Sequence, residues 1–357
     1  MSSLNFDLDP EVYVTNFHKR FTGVSATADA VISKQLSHYA LKLVGLPLPS
    51  LTQSCSYRQA LKSSRRPPSH RPFVIWHVRR NMEMAAAIFA RDYLRLPIKT
   101  VFTSAAQRLH SYIPRQLISR MDAVVATTAS AAKFVPHVAA VVPHGVDIYR
   151  FTPAVDRNEA WKKLGLQGRF GIGIVGRIRP EKGTDLFVET MLRVLPERPD
   201  FTAVIIGRAK PAEAEFEKQL RQQLAAAGLS DRVVFRGEVP PRELPQVLRS
   251  LSLLVAPPRY EGFGMTPLEA MASGLAVVAT DTGVFRQVIE DGETGFVVGI
   301  DQLDQLTEAV LKVTADPNRL HEMGLRAREV AVNRLSLDRE FEGYAAVYQR
   351  LWNGEKF

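Results

Sequence analysis

A chain of 357 residues, 46% hydrophobic and 23% charged, has the composition of a globular protein and room for two domains of ordinary size. No apolar run reaches the roughly 18 residues a membrane helix needs, and a single cysteine, Cys55, excludes an internal disulfide and a thiolate metal cluster. Net charge is +9 but uneven: residues 1–150 carry 19 Lys and Arg against 8 Asp and Glu, and the remainder 27 against 29.

The opening MSSLNFDLDPEVYV has no charged stretch leading into an apolar one. No signal peptide is therefore expected, and a reducing cytoplasm is the expected location. Asp7 and Asp9 match the D-x-D text of metal-dependent transferases, but they precede the first strand near a fraying terminus and are expected to be surface acids. EVYVTN reads as a buried strand. From Ala30 to Met82 there is no acidic residue, and the segment around Arg58, Lys62, Arg65, Arg66 and Arg71 is rich in Ser and Pro. A half of this kind meets an anion. The irregular Arg65-Arg66 stretch is the expected contact with anionic lipid headgroups. PFVIW is the next strand, with His77, Arg79 and Arg80 after it. Residues there fall at the carboxyl end of a strand, where open α/β sheets bind ligands, and forked guanidinium groups suit carboxylates and phosphates.

The pattern then alternates. NMEMAAAIFARDYLRL reads as one helix, and IKTVFT, DAVVATT and AAVVP as strands. PHGVDIYRFTP is rich in turn formers and marks a break near residue 150. Beyond it come the strands RFGIGIV, FTAVIIG, RVVFRG, SLLVAP, LAVVAT and GFVVG, with helices TDLFVETMLRVL and AEAEFEKQLRQQLAAAG between them. About eleven strands alternating with helices predict an α/β protein of two doubly wound, Rossmann-like domains, residues 1–150 and 151–336. The last helix, LDREFEGYAAVYQRLW, has no strand after it, and 337–357 is expected to pack back on the first domain.

The stretch GIGIVG spells the dinucleotide fingerprint G-x-G-x-x-G. Its glycines come too early. Gly171 and Gly173 fall inside the strand, and the helix is predicted to start only at Thr184, a good N-cap. No acid ends the next strand; Arg208 does, which leaves an NADP-dependent oxidoreductase as an alternative. Arg177 and Lys182 flank the RPEKG turn at a strand mouth, a fork and a point cation suited to a diphosphate. In APPRYEGFGMTPLEAMA, Glu261 lies in a loop and Glu269 on a helix. The bare amides of Gly264, Met265 and Thr266 open that helix and make an anion site. One loop thus offers donors for phosphate and acceptors for hydroxyls, the chemistry of a sugar nucleotide.

GRIRPEKG, VVFRGEVP, APPRYEGFGMTPLEAMASGLAVVATDTG and DGETGFVV together resemble the retaining glycosyltransferases of family 4, which have the GT-B fold. NFHKRFTGVSAT, IWHVRRNMEM and KTVFTSAAQRLHSY resemble bacterial lipopolysaccharide core mannosyltransferases. The resemblance implies that Arg177 and Lys182 bind the donor diphosphate and stabilise the departing nucleotide. Glu269 would hold the ribose, Glu261 the donor sugar, and the amides of residues 264–266 sugar and phosphate. The backbone near Glu238 and Val239 would face the base, and Gly23 would approach the diphosphate. His77, Arg79 and Arg80 would contact the acceptor. Many members place a His where this chain has Thr103 and Ser104, and His18, His77 and His144 are candidates to fill that gap.

The expectation is a retaining hexosyltransferase, most specifically one moving mannose from GDP-mannose to the anionic lipopolysaccharide inner core, without metal or cofactor. It would work in the cytoplasm, peripherally on the inner membrane, with no nucleic-acid partner. Another nucleotide-sugar donor, another glycan or lipid acceptor, and a non-catalytic sugar-nucleotide binder are the remaining alternatives.

Overall fold

The computed structural model describes residues 9–20 and 22–357, so Asp7 lies outside the described residues. It divides into two compact units. The first runs to Gly145 and takes in Leu337–Phe357; the second is Val146–Ser336. The break falls after Gly145 rather than after Arg150. Val146 already belongs to the second unit, where its amide bonds Leu335 O at 2.8 Å and it bridges to Ser336.

In the first unit the strands are β1 (Val12–Asn16), β2 (Leu41–Gly45), β3 (Ser54–Cys55), β4 (Val74–Val78), β5 (Ile98–Ser104), β6 (Ala123–Ala126) and β7 (Val138–Val141). They form one parallel sheet in the order β3-β2-β1-β4-β5-β6-β7. Near-continuous β-branched runs suit such a sheet because both faces are covered. Val12 and Val14 enter one core while Tyr13, between them, enters the other. The short β2 and β3 are additional to the expected strands. The segment read as one helix is α-helical only over Asn81–Ile88 and continues as a π-turn over Phe89–Tyr93, where Leu94 N bonds Phe89 O at 3.0 Å.

The Leu337–Trp352 helix buries Leu337, Tyr344, Val347, Tyr348, Leu351 and Trp352 in the β1–β2 side of this core. Glu340 accepts from the Gly145 amide at 2.8 Å and is paired with His144 at 2.8 Å. Arg71 stacks 3.7 Å over the Trp352 ring and bonds Glu11 at 2.7 Å, so this cation of the acid-free stretch is structural. Arg65 and Arg66 are exposed but not irregular. They sit in a turn after the Tyr57–Ser63 helix, which a Ser56/Gln59 capping box starts. Their amides bond Lys62 O and Ser63 O.

The second unit holds β8 (Phe170–Val175), β9 (Phe201–Ile206), β10 (Val233–Gly237), β11 (Leu253–Ala256), β12 (Ala276–Thr280) and β13 (Gly295–Val298). All neighbours are parallel, in the order β10-β9-β8-β11-β12-β13. The strand order reverses between β8 and β11. A crevice opens at such a reversal, outside the carboxyl ends of the two strands. RPEKG follows β8 and PPRYEGFG follows β11, so two distant motifs become neighbours.

The fingerprint glycines have another use. Gly171 and Gly173 lie within β8, and a Cβ on them would overlap Trp161 and Leu251 respectively. They let core side chains lie flat on the strand, a packing role.

Candidate functional site

The RPEKG turn is a 3₁₀ turn, Pro180–Lys182, closed by Gly183 at φ +68°. A side chain there would overlap the Pro257 carbonyl, so the turn after β8 and the loop after β11 touch backbone to backbone. Gly183, not Thr184, is the N-cap of the Thr184–Val194 helix. Thr184 is buried as its first residue, and its hydroxyl makes no cap.

Lys182 Nζ reaches across to Glu261 Oε2 at 2.5 Å; both side chains are about a quarter exposed, 28% and 23%. Glu261 also accepts from the Gly262 amide at 3.1 Å. The first-turn cation and the loop acid are thus paired across the crevice. The Lys182 stem also passes close to Gly176, where a Cβ would lie 3.8 Å from Cδ. Gly176 and Arg177 line a cavity of about 360 Å³ with Arg208, Glu238 and Val239. Arg177 is exposed, while Arg208 is ion-paired with Glu238 at 2.7 Å.

The EGFG loop is held from below. Thr280 Oγ1, at the end of β12, donates to Pro258 O at 2.6 Å. Val284 N donates to Phe263 O at 3.0 Å. Gly264 caps the Met265–Ala272 helix at φ +95°, and a side chain there would overlap the Phe285 ring. The amides of that first turn have no carbonyl within the helix to bond. Glu269, one turn on, is half-buried, and no donor among the described residues bonds its carboxylate. Desolvation pushes its pKa up to about 7, partly offset by the Arg150 charge. Met265, Val239 and Leu244 pack on the same core, which sets this helix beside the cavity floor.

Arg259 is a residue the sequence reading missed. Its Nη1 and Nη2 bond the Asp185 carboxylate at 2.9 Å each, and Nη1 also donates to Pro180 O at 2.5 Å. Its Nε pairs with Asp301 at 2.7 Å, and its amide donates to Glu181 O at 3.0 Å. Arg259 therefore clamps both ends of the Lys182 turn without touching the crevice itself. The only sequence signal is its place two residues before Glu261. Arg259→Ala should cut kcat by about 10- to 100-fold, since a displacement near 1 Å costs that much. Arg259→Lys should recover part of it, because a point cation cannot form the fork on Asp185. Steady-state kinetics of both variants tests this; equal kcat in all three proteins removes the positioning role.

The first unit has its own strand reversal, between β1 and β4. Gly23 starts the Gly23–Gln35 helix after β1 and has open space where a side chain would stand. Arg80 was expected at a ligand, but its guanidinium is engaged. It bonds Asn16, Glu83, Thr22 and Ser25 at 2.8–3.3 Å. Glu83 is fully buried and also accepts from Thr15 Oγ1 at 3.0 Å and the Arg79 amide at 2.9 Å. Arg80 thus neutralises a buried acid and ties β1 to β4.

His77 is likewise structural. It is fully buried and bonded to Tyr348 OH at 2.5 Å and Thr103 Oγ1 at 2.7 Å. Burial holds it well below its ordinary pKa, so the ring is neutral. Both of its ring nitrogens are taken by these bonds, so neither is left for an acceptor. Thr103 spends its hydroxyl on this network, and His144 is buried against Glu340. His18 is exposed after β1, its Nδ1 2.9 Å from Arg20 O. Arg79 differs from all of these. It is 8% exposed, yet its Nε and Nη1 have no partner.

Asp9 is an exposed residue ahead of β1. Among the described residues no cluster of His, Cys, Asp or Glu could hold a metal ion, and no helix is long and apolar enough to cross a membrane.

Comparison with known proteins decides the class of chemistry. The family described as Glycosyl transferases group 1 matches residues 156–330. The lipopolysaccharide core biosynthesis mannosyltransferase LpcC of Rhizobium leguminosarum is 43% identical, over 96% of this chain and 97% of that protein. LpsB of Rhizobium meliloti, of the same description, is 40% identical over 96% and 98%. The chain belongs to the group 1 glycosyl transferase family. As a group 1 glycosyl transferase it has the GT-B fold: the crystal structure of Anabaena Alr3699/HepE in complex with UDP superposes with a TM-score of 0.81, at 16% identity, over 95% of this chain and 99% of that one. The oxidoreductase alternative falls with this result, in keeping with glycines buried in β8 and an Arg208 already paired.

Proposed function

We propose that this group 1 glycosyl transferase moves mannose, with retention, from GDP-mannose to an anionic sugar of the lipopolysaccharide inner core, at the cytoplasmic face of the membrane. The second unit would bind the donor and the first the acceptor. The observation that carries the donor half is the crevice beside β8 and β11. It gathers Lys182, Glu261, the Arg177 cavity and a bare helix terminus within one strand reversal. The mannosyl and core assignments draw on the names of the two Rhizobium relatives.

Breaking the anomeric C–O bond leaves negative charge on the nucleoside diphosphate. Lys182 and Arg177 would meet that charge with fixed cations, and the Gly264–Thr266 amides with oriented dipoles. Glu261, freed from Lys182 when the diphosphate takes the cation, would accept from sugar hydroxyls. Glu269 would accept from the ribose, and the backbone at Glu238 and Val239 would meet the base. The leaving phosphate itself would take the acceptor proton, so no protein base is required.

On the first unit the structure separates two neighbouring arginines. A buried guanidinium with unsatisfied N–H groups is costly unless an anion completes it. Arg79, at the carboxyl end of β4, lies 5.9 Å from the centre of the Tyr344 ring but leaves Nε and Nη1 unbonded; Arg80 is already satisfied. Arg79, with Gly23 nearby in the fold's β1–β4 reversal, would therefore read a carboxylate or phosphate of the acceptor.

Thermal-shift measurements with GDP-mannose, UDP-sugars, ADP-sugars and NADPH test the donor. Stabilisation by GDP-mannose above the others is expected, and no response to any sugar nucleotide would overturn the proposal. In transfer assays Arg79→Ala should raise the acceptor KM at least tenfold with donor affinity unchanged. Arg80→Ala should instead lower thermal stability, because it strands Glu83. An unchanged acceptor KM for Arg79→Ala places the acceptor elsewhere.

A further inference from the structure

We infer that the outer face of the helices after β4 and β5 is a docking surface for an anionic lipid bilayer. The inference rests on the lipopolysaccharide-core acceptor and membrane-face location proposed above, but it follows from a different part of the molecule. The helix Asn81–Ile88 buries Glu83, Met84, Ala87 and Ile88. Its other side carries Met82 at 75% exposure, and the π-turn that continues it adds Phe89 at 45% and Tyr93 at 77%. The spacing, seven residues and then four, keeps these three on one stripe of a helix. Phe89 and Tyr93 stack, with ring centroids 5.1 Å apart. The next helix, Tyr112–Ile118, adds Tyr112 at 73%, Ile113 at 69% and, just before it, Leu109 at 61%.

These residues form one patch. The crossovers from β4 to β5 and from β5 to β6 join neighbouring parallel strands. Right-handed crossovers place both helices on the same face of the sheet, and the two pack side by side. Six large apolar side chains at 45–77% exposure contribute nothing to the core, and a monomer rarely leaves such a patch uncovered.

Charge selects the occupant. Arg95, Arg108, Arg115 and Arg120 are exposed around the patch, and none forms an ion pair with a described residue. The local acids are already neutralised: Asp92 by Arg91, and Asp122 by Arg91 and Lys99. Aromatic rings with an apolar body and a polar tip, flanked by unpaired cations, match the interfacial zone of an anionic leaflet. A second copy of this chain would bring the same cations against each other. The surface replaces Arg65 and Arg66 as the lipid contact, since that turn has no exposed large apolar residue beside its charges.

The test is sedimentation of the full-length protein with vesicles of phosphatidylcholine alone or mixed with phosphatidylglycerol, without donor or acceptor. Binding should require phosphatidylglycerol and fall steeply with salt. The paired change Phe89→Ser and Tyr93→Ser should lower partitioning at least tenfold, as should Arg108→Ala with Arg115→Ala. Arg65→Ala with Arg66→Ala should change it less than twofold. A Tyr93→Trp variant should be quenched by brominated lipid, which reads insertion directly. Wild-type partitioning by the serine pair, absence of quenching, or patch-dependent dimerisation in place of vesicle binding would each overturn the inference. Because no sugar nucleotide is present, these outcomes are independent of the donor test.

Discussion

Lys182→Ala should lower kcat by about 10²- to 10³-fold while the protein stays folded, the scale of losing one oxyanion donor. Two effects act in the same direction. The cation proposed to meet the departing diphosphate is gone, and Glu261, its partner at 2.5 Å, is left as a bare carboxylate where the proposal puts the phosphates. The double change Lys182→Ala with Glu261→Gln should therefore lose less than the sum of the two single changes. Lys182→Arg should rescue only in part, because a fork cannot occupy the position of a point charge. Single-turnover rates and a thermal melt decide the matter. A normal rate for Lys182→Ala would remove the assignment.

Donor binding should weaken below neutral pH, and Glu269 should be the cause. Ribose hydroxyls donate to a carboxylate, so binding favours the ionised form. Burial raises this carboxyl to about 7, and at pH 5.5 only about 3% would be ionised, a roughly thirtyfold loss of affinity. Glu269→Gln should abolish that pH dependence, and Glu269→Ala should weaken nucleotide binding roughly 10- to 100-fold through lost charge-assisted bonds. Stability without nucleotide carries the opposite sign. A folded pKa near 7 lies above the ordinary 4.5, so the folded state holds a proton that the unfolded state has released between those values. Stability therefore falls as pH rises through that window, and Glu269→Gln should flatten the slope. Calorimetry at pH 5.5 and 8, with and without nucleotide, checks both signs. A pH-independent affinity in the wild type would refute the ribose role.

The parts of this molecule that were readable in its sequence are those in which neighbours in the chain act together. GIGIV, TAVIIG and LAVVAT are strands because buried parallel sheets demand β-branched side chains on both faces, and their order implied the two doubly wound sheets. β3 escaped because it has two residues, and β2 because Lys42 interrupts its apolar run and the Pro-rich LPLPSL follows it directly. RPEKG and EGFG each stood out as a candidate anion site because their donors are consecutive in the chain. What brings them together, the reversal between β8 and β11, is a property of strand order. Arg259 was not legible for the same reason, since its partners lie at residues 180, 181, 185 and 301. His77 and Arg80 were overread. A polar residue after a strand invites a functional reading, and only the fold supplies Tyr348 and Glu83 as their partners. Thr184 looked like a cap until the left-handed Gly183 took that place.

The route of the chain has a consequence for biosynthesis. The second unit is one uninterrupted segment, whereas the first is completed by residues 337–357, which are made after it. During translation Val12, Val14 and Ile75 can form their strands early, but the apolar face that Tyr344, Val347 and Tyr348 will cover must wait for the whole intervening unit to leave the ribosome. Gln35 and His77 both bond the Tyr348 hydroxyl, across 313 and 271 positions of sequence. Contacts of such long sequence separation form late, and exposed apolar surface is what chaperones and aggregation compete for. A nascent chain stalled before Leu337 would carry a finished second unit and a first unit still lacking one wall of its core.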